Sequence, residues 1–87
     1  MSKNHKIREK AKKVFMVDIK IIQNRIIETI KNCGYTQTQL SKMLNISQSC
    51  IAHYIKGDIM PSLDTLANLC IICDVSPAYI LCFDEKE

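Results

Sequence analysis

Only two glycines and two prolines interrupt the 87 residues, and there is no tryptophan. So few chain breakers leave little irregular structure, and a largely helical chain is expected. No apolar run approaches the roughly 18 residues that a membrane span needs, and the opening Met-Ser-Lys-Asn-His-Lys lacks the apolar core of a secretory signal. These absences predict a cytoplasmic protein with no membrane role. A Gly-rich phosphate loop is missing as well. His5 and His53 have no sequence-local carboxylate or cysteine arranged for acid–base or nucleophilic work. No catalytic residue and no enzymatic function are therefore expected.

What the chain does have is 47% apolar and 24% charged residues, a balance that suits one small globular domain. Its five cysteines, Cys33, Cys50, Cys70, Cys73 and Cys82, sit within apolar patterns rather than among turn residues. Such thiols commonly serve as small buried hydrophobes. The alternative is Cys70-x-x-Cys73 as a metal or redox pair. A structural zinc site wants a second pair, and Cys33 and Cys50 stand singly, so neither a metal nor another cofactor is expected.

The formal net charge of +3 is unevenly spread. Residues 1–17 carry Lys3, Lys6, Arg8, Lys10, Lys12 and Lys13 against Glu9 alone, while residues 18–83 balance to zero and residues 84–87 form an acidic tail. A basic arm of this kind binds a polyanion or is simply solvated. Ile7, Ala11, Val14 and Phe15 recur in it at helical spacing, so it also reads as an extra amphipathic helix.

From Asp18 onward each apolar-periodic stretch is preceded by a residue able to cap a helix, which predicts five helices. The first runs from Asp18 to Cys33, with Ile19, Ile22, Ile26, Ile30 and Cys33 on one face and Gly34 closing it. Thr36 and Gln39 form a capping box for the second, with Tyr35 and Leu40 as a hydrophobic staple. That helix ends near Leu44, and Asn45 is the non-glycine residue best suited to a sharp left-handed turn. Ser47 caps the third helix, which reaches Lys56 and Gly57. Ser62 caps a fourth to Cys73, and Ser76-Pro77 opens a short fifth.

Two short helices joined by Asn45, Ile46 and Ser47 make a helix-turn-helix unit, whose second helix can enter the DNA major groove. At about 100° per residue from Gln48, Ala52, Lys56, Ser49 and His53 fall within an arc of about 140°, and Ser47, Tyr54, Ile51 and Ile55 fall outside it, at about 240° to 340°. The first arc is short, polar and free of acid. Gln can pair bidentately with adenine and Ala can touch a thymine methyl, so this arc has the chemistry of a base-reading face. Gln48 and Ser49 are equally ordinary first-turn residues beside a cap.

Residues 36–57, Thr-Gln-Thr-Gln-Leu-Ser-Lys-Met-Leu-Asn-Ile-Ser-Gln-Ser-Cys-Ile-Ala-His-Tyr-Ile-Lys-Gly, resemble the Cro/CI-type helix-turn-helix of the lambda-repressor-like (XRE) family without a gap. The likeness continues through Pro61-Ser-Leu-Asp-Thr-Leu66 and Asp74-Val-Ser-Pro-Ala-Tyr-Ile-Leu81, covering roughly residues 20–82. It implies a compact all-α, five-helix DNA-binding domain over 18–83, here with a basic N-terminal extension, that recognises double-stranded operator DNA as a transcriptional regulator. By that resemblance Gln37 contacts a phosphate and braces Gln48. Ser41 lets the helices pack closely, and Ser49, Ala52 and His53 face the groove. Ser47, Lys56 and the loop near Asp58 face the DNA backbone. Ile55 departs from the Glu frequent before the closing x-Gly, removing a polar brace between the third helix and its loop.

One helix reads few base pairs, so a homodimer is expected, with Ile80-Leu-Cys-Phe83 as the candidate surface unless those residues pack inward. With residues 18–83 neutral, the arm is expected to supply most phosphate neutralisation. The competing readings are a protein-interaction module, such as an antitoxin or adaptor using its arm or last helix against a protein partner, and a thiol or metal sensor using Cys70 and Cys73.

Overall fold

The computed structural model describes residues 17–83, and among them five α-helices form with no strand. They are α1 (Ile19–Asn32), α2 (Gln37–Leu44), α3 (Gln48–Lys56), α4 (Leu63–Cys73) and α5 (Pro77–Ile80). The expected helix in the arm, with Ile7, Ala11, Val14 and Phe15, lies outside the described residues, as does the acidic tail.

The N-terminal caps follow from local chemistry. The Asp18 carboxylate accepts the Lys20 N–H (3.0 Å). At α2 the capping box is complete, Thr36 Oγ1 accepting from the Gln39 N–H (3.0 Å) while Gln39 Oε1 accepts from the Thr36 N–H (2.9 Å). Ser47 and Ser76 cap α3 and α5 in the same sense. Ser62 differs from expectation, because its hydroxyl accepts no backbone N–H. It donates instead to Asp64 Oδ1 (2.5 Å), and that carboxylate accepts the Thr65 N–H (2.9 Å). These two bonds hold the Asp64 carboxyl below its ordinary pKa, the Ser62 hydroxyl contributing most.

The C-terminal ends of α2, α3 and α4 share one device. Asn45 (φ 58°), Gly57 (φ 87°) and Asp74 (φ 55°) adopt the left-handed conformation. The following N–H groups, of Ile46, Asp58 and Val75, then reach back to the carbonyls of Ser41 (2.9 Å), His53 (3.1 Å) and Cys70 (2.9 Å). These are the long closures of Schellman turns, and an apolar residue usually follows the left-handed one to pack on the last turn. Ile46 and Val75 do so, half-buried against the core. Asp58 cannot, and its carboxylate turns instead toward the exposed side of α3.

Each helix contributes one fully buried large side chain: Ile26, Leu40, Ile51, Leu69 and Ile80. Ser41 is also buried, its hydroxyl donating to the Thr38 carbonyl (2.8 Å). Arg25 on α1 ties down α5, its guanidinium lying 4.4 Å from the Tyr79 ring centroid and donating to the Tyr79 carbonyl.

Two expectations need correction. Ile19 is 58% exposed, because the helix has barely begun there and the core starts a turn later at Ile22. Ile80-Leu-Cys-Phe83 is exposed only at its end, since Ile80 is fully buried and Leu81 and Cys82 pack against the core, while Phe83 is 62% exposed. The most exposed large apolar side chains described are Leu63 (84%) and Ile71 (76%), on α4.

Leu40, fully buried, is the anchor of α2. Leu40→Ala is expected to cost about 2–5 kcal/mol of stability, measured by urea denaturation followed by far-ultraviolet circular dichroism.

Candidate nucleic-acid interface

The turn from α2 to α3 determines which side of α3 meets the core. The left-handed Asn45 reverses the chain, the half-buried Ile46 anchors it, and Ser47 starts α3 by accepting the Cys50 N–H (3.0 Å). Ile51 and Tyr54 are thereby buried and Ile55 half-buried. Gln48, Ser49, Ala52, His53 and Lys56 are all exposed on the opposite side, with Ser47 exposed at the helix start. The angular split expected from the sequence is thus the one adopted.

Gln37, also exposed, is the first residue of α2. It borders an open pocket with Lys31, Tyr35 and Thr36 at the rim and Ile30, Leu40 and Ile55 among its lining residues. Thr36 Oγ1 takes the Gln39 N–H, so the Gln37 and Thr38 N–H groups remain at the positive end of the helix dipole. With Lys31 alongside, this end of α2 favours an anionic oxygen.

The brace on Gln48 is not the one the resemblance implied. Gln48 Nε2 donates to Thr38 Oγ1, on the second residue of α2, rather than being held by Gln37. That bond ties the Gln48 side chain across the two helices. Thr38 had no distinguishing signal in the sequence, because its role depends on how α2 and α3 cross.

At the other end of α3, Asp58 folds back onto the last turn. Its Oδ2 lies 2.9 Å from His53 Nδ1 and 3.7 Å from Lys56 Nζ. The loop is pinned further by Gln23 Nε2, which donates to the Gly57 carbonyl (2.9 Å). These contacts supply a polar brace at the place where the sequence, with Ile55 in place of Glu, suggested none. They also put a carboxylate beside a face expected to be free of acid. Asp58 was legible in hindsight as an acid following the closing Gly57, where Ile46 and Val75 carry apolar side chains. Gln23 left no trace in the sequence.

The cysteines behave as packing residues. Burial pushes the Cys70 thiol up, and burial with the neighbouring Cys33 thiol pushes Cys73 up to about 12. Both effects oppose the thiolate that metal binding or thiol exchange requires. Among the described residues no helix is long and apolar enough to cross a membrane.

The Asp58 carboxyl is held below its ordinary pKa, chiefly by its hydrogen bond from His53 and secondarily by the Lys56 charge. A carboxyl depressed on folding contributes stability above its unfolded pKa and loses it as the pH falls through the lower folded value. Carbon-detected NMR titration is expected to give Asp58 a midpoint below that of an ordinary aspartate, and His53→Ala is expected to raise it.

Comparison with known proteins agrees with this geometry. Residues 26–80 match the helix-turn-helix family profile. The chain is 34% identical over 61 residues to the HTH-type transcriptional regulator ImmR of Bacillus subtilis (strain 168), a match covering 70% of this chain and 48% of that protein. The chain therefore spans about half the length of this relative. No solved structure matches significantly. Family membership places the chain among binding domains rather than catalysts. With the family match covering more than half the sequence and α2, Asn45 and α3 arranged as described, the chain belongs to the XRE-type helix-turn-helix family.

Proposed function

We propose that this protein is a sequence-specific, repressor-like transcriptional regulator of the cytoplasm that binds double-stranded DNA as a homodimer and reads the major groove with α3. The observation that carries this reading is the exposed arc Gln48, Ser49, Ala52 and His53, with Ile51 and Tyr54 buried on the other side of the same helix. The face is narrow, short-chained and rich in hydrogen-bonding groups, and Thr38 fixes the Gln48 side chain before any ligand arrives. Preorganisation of that kind lowers the entropy lost on contact. Gln37 and the start of α2 meet one phosphate, and Ser47 and Lys56 flank the groove. The basic arm supplies the long-range attraction that a neutral 18–83 segment lacks. The name of the Bacillus relative points the same way.

Two copies about 34 Å apart would place two α3 helices on one face of the duplex. The exposed apolar side chains available for pairing include Leu63 and Ile71 of α4 and Phe83, whereas Ile80 is buried.

In a fluorescence-anisotropy titration on the chain's own upstream DNA, Gln48→Ala is expected to cost about 1–3 kcal/mol on the specific site and little on unrelated duplex. A uniform weak affinity, indifferent to that change, would favour the protein-interaction module instead. Sedimentation equilibrium at micromolar concentration is expected to give twice the 10.0 kDa chain mass, and a species at the chain mass alone would count against the dimer.

A further inference from the structure

The Schellman closure of α3 differs from those of α2 and α4 in one respect. Where Ile46 and Val75 pack on the helix before them, Asp58 contacts His53 and Lys56 through its carboxylate. Its main chain is fixed by the bond from its own N–H to the His53 carbonyl (3.1 Å), and the preceding residue by Gln23. The carboxylate therefore stands at a determined place beside the imidazole.

An ionised carboxylate has no proton to give, so the nitrogen facing it must carry one. Nδ1 is that nitrogen. The proton of the neutral ring is then held on Nδ1, and Nε2 is left with a lone pair. Nε2 has no hydrogen-bond partner among the described residues, and the His53 side chain is 47% exposed on the arc that carries Gln48 and Ala52. Along the major-groove edge only adenine N6 and cytosine N4 offer donors to such a lone pair. Guanine presents N7 and O6 and thymine O4, all acceptors.

We propose that His53 is a specificity-determining residue that selects adenine or cytosine at one position of the DNA site, and that Asp58 is the positioning residue that gives it this preference by holding the proton on Nδ1. Lys56 Nζ lies 3.7 Å from the same carboxylate oxygen. The polar closure thus does what an apolar one cannot: it sets the hydrogen-bonding sense of a neighbouring side chain as well as ending the helix. This inference rests on α3 being the reading helix.

The test is selection from a randomised duplex library at neutral pH with the full chain, comparing wild type, Gln48→Ala, His53→Ala, Asp58→Ala and Asp58→Asn, each checked for folding by circular dichroism. The position read by His53 is the one whose preference disappears in His53→Ala. There the wild type is expected to favour adenine or cytosine over guanine or thymine roughly tenfold, the scale of one net hydrogen bond to a polar edge. Asp58→Ala is expected to bring that ratio within about twofold of unity while the position lost in Gln48→Ala keeps its preference. Asp58→Asn retains an acceptor oxygen and is expected to preserve most of the ratio. A wild-type preference for guanine or thymine at that position, or an unchanged ratio in Asp58→Ala, would overturn the proposal. So would a His53→Ala variant that alters no position. If Gln48→Ala also alters no position, the reading of α3 falls with it; if Gln48→Ala alone has an effect, only the role of His53 falls.

Discussion

The left-handed residue Asn45 is the constraint on which the rest depends. A helix such as α3, only nine residues long, has little stability of its own and is held by the face it buries. Which face that is depends on the angle at which the chain leaves α2, and the angle follows from φ 58° at Asn45, with the Ile46 N–H returned to Ser41. Once the turn is made, Ile51 and Tyr54 enter the core shared with Leu40 and Ile26, and Gln48, Ser49, Ala52 and His53 are committed to the outside. Asparagine tolerates this conformation at modest cost because its short polar side chain can bond locally.

Most of that architecture was legible in the chain itself, because it is written in local chemistry. Thr36 with Gln39, Ser47, Pro77 after Ser76, and the closing positions of Asn45 and Gly57 each act over a few residues, and each behaves as its type and position suggest. Departures occur where a neighbouring side chain competes for the cap, where a less usual residue takes the left-handed backbone conformation, or where packing depth decides the outcome. Ser62 stands at a capping position, yet its hydroxyl is taken by Asp64 two residues on. Asp74 is left-handed without being glycine or asparagine, an outcome that a list of usual helix-ending residues passes over. In the Ile80 to Phe83 run only Phe83 stays well exposed, a depth of burial that periodicity cannot give for a short terminal segment.

The candidate interface divides along the same line. The exposure of its residues was recoverable from spacing, since a nine-residue helix that buries Ile51 and Tyr54 and half-buries Ile55 leaves little choice about what stays outside. Its supporting contacts were not. Thr38 reaches Gln48 across a helix crossing, Gln23 reaches Gly57 from 34 residues away, and Asp58 meets His53 only because the chain doubles back after Gly57. Side chains that touch a ligand can often be found on a helical wheel, whereas those that orient them depend on tertiary geometry.

Because the outward positions of α3 carry almost none of the packing, their identity is nearly independent of whether the domain folds. Gln48, Ser49 and Ala52 are open to mutation without opening a void, while Ile51 and Tyr54, interleaved among them in sequence, are not. Such a scaffold can drift to new targets during evolution through a few substitutions, and one scaffold can diversify into many recognisers. The exceptions are positions 48 and 53, tied to Thr38 and Asp58: changing either without losing its contact would require the pair to vary together.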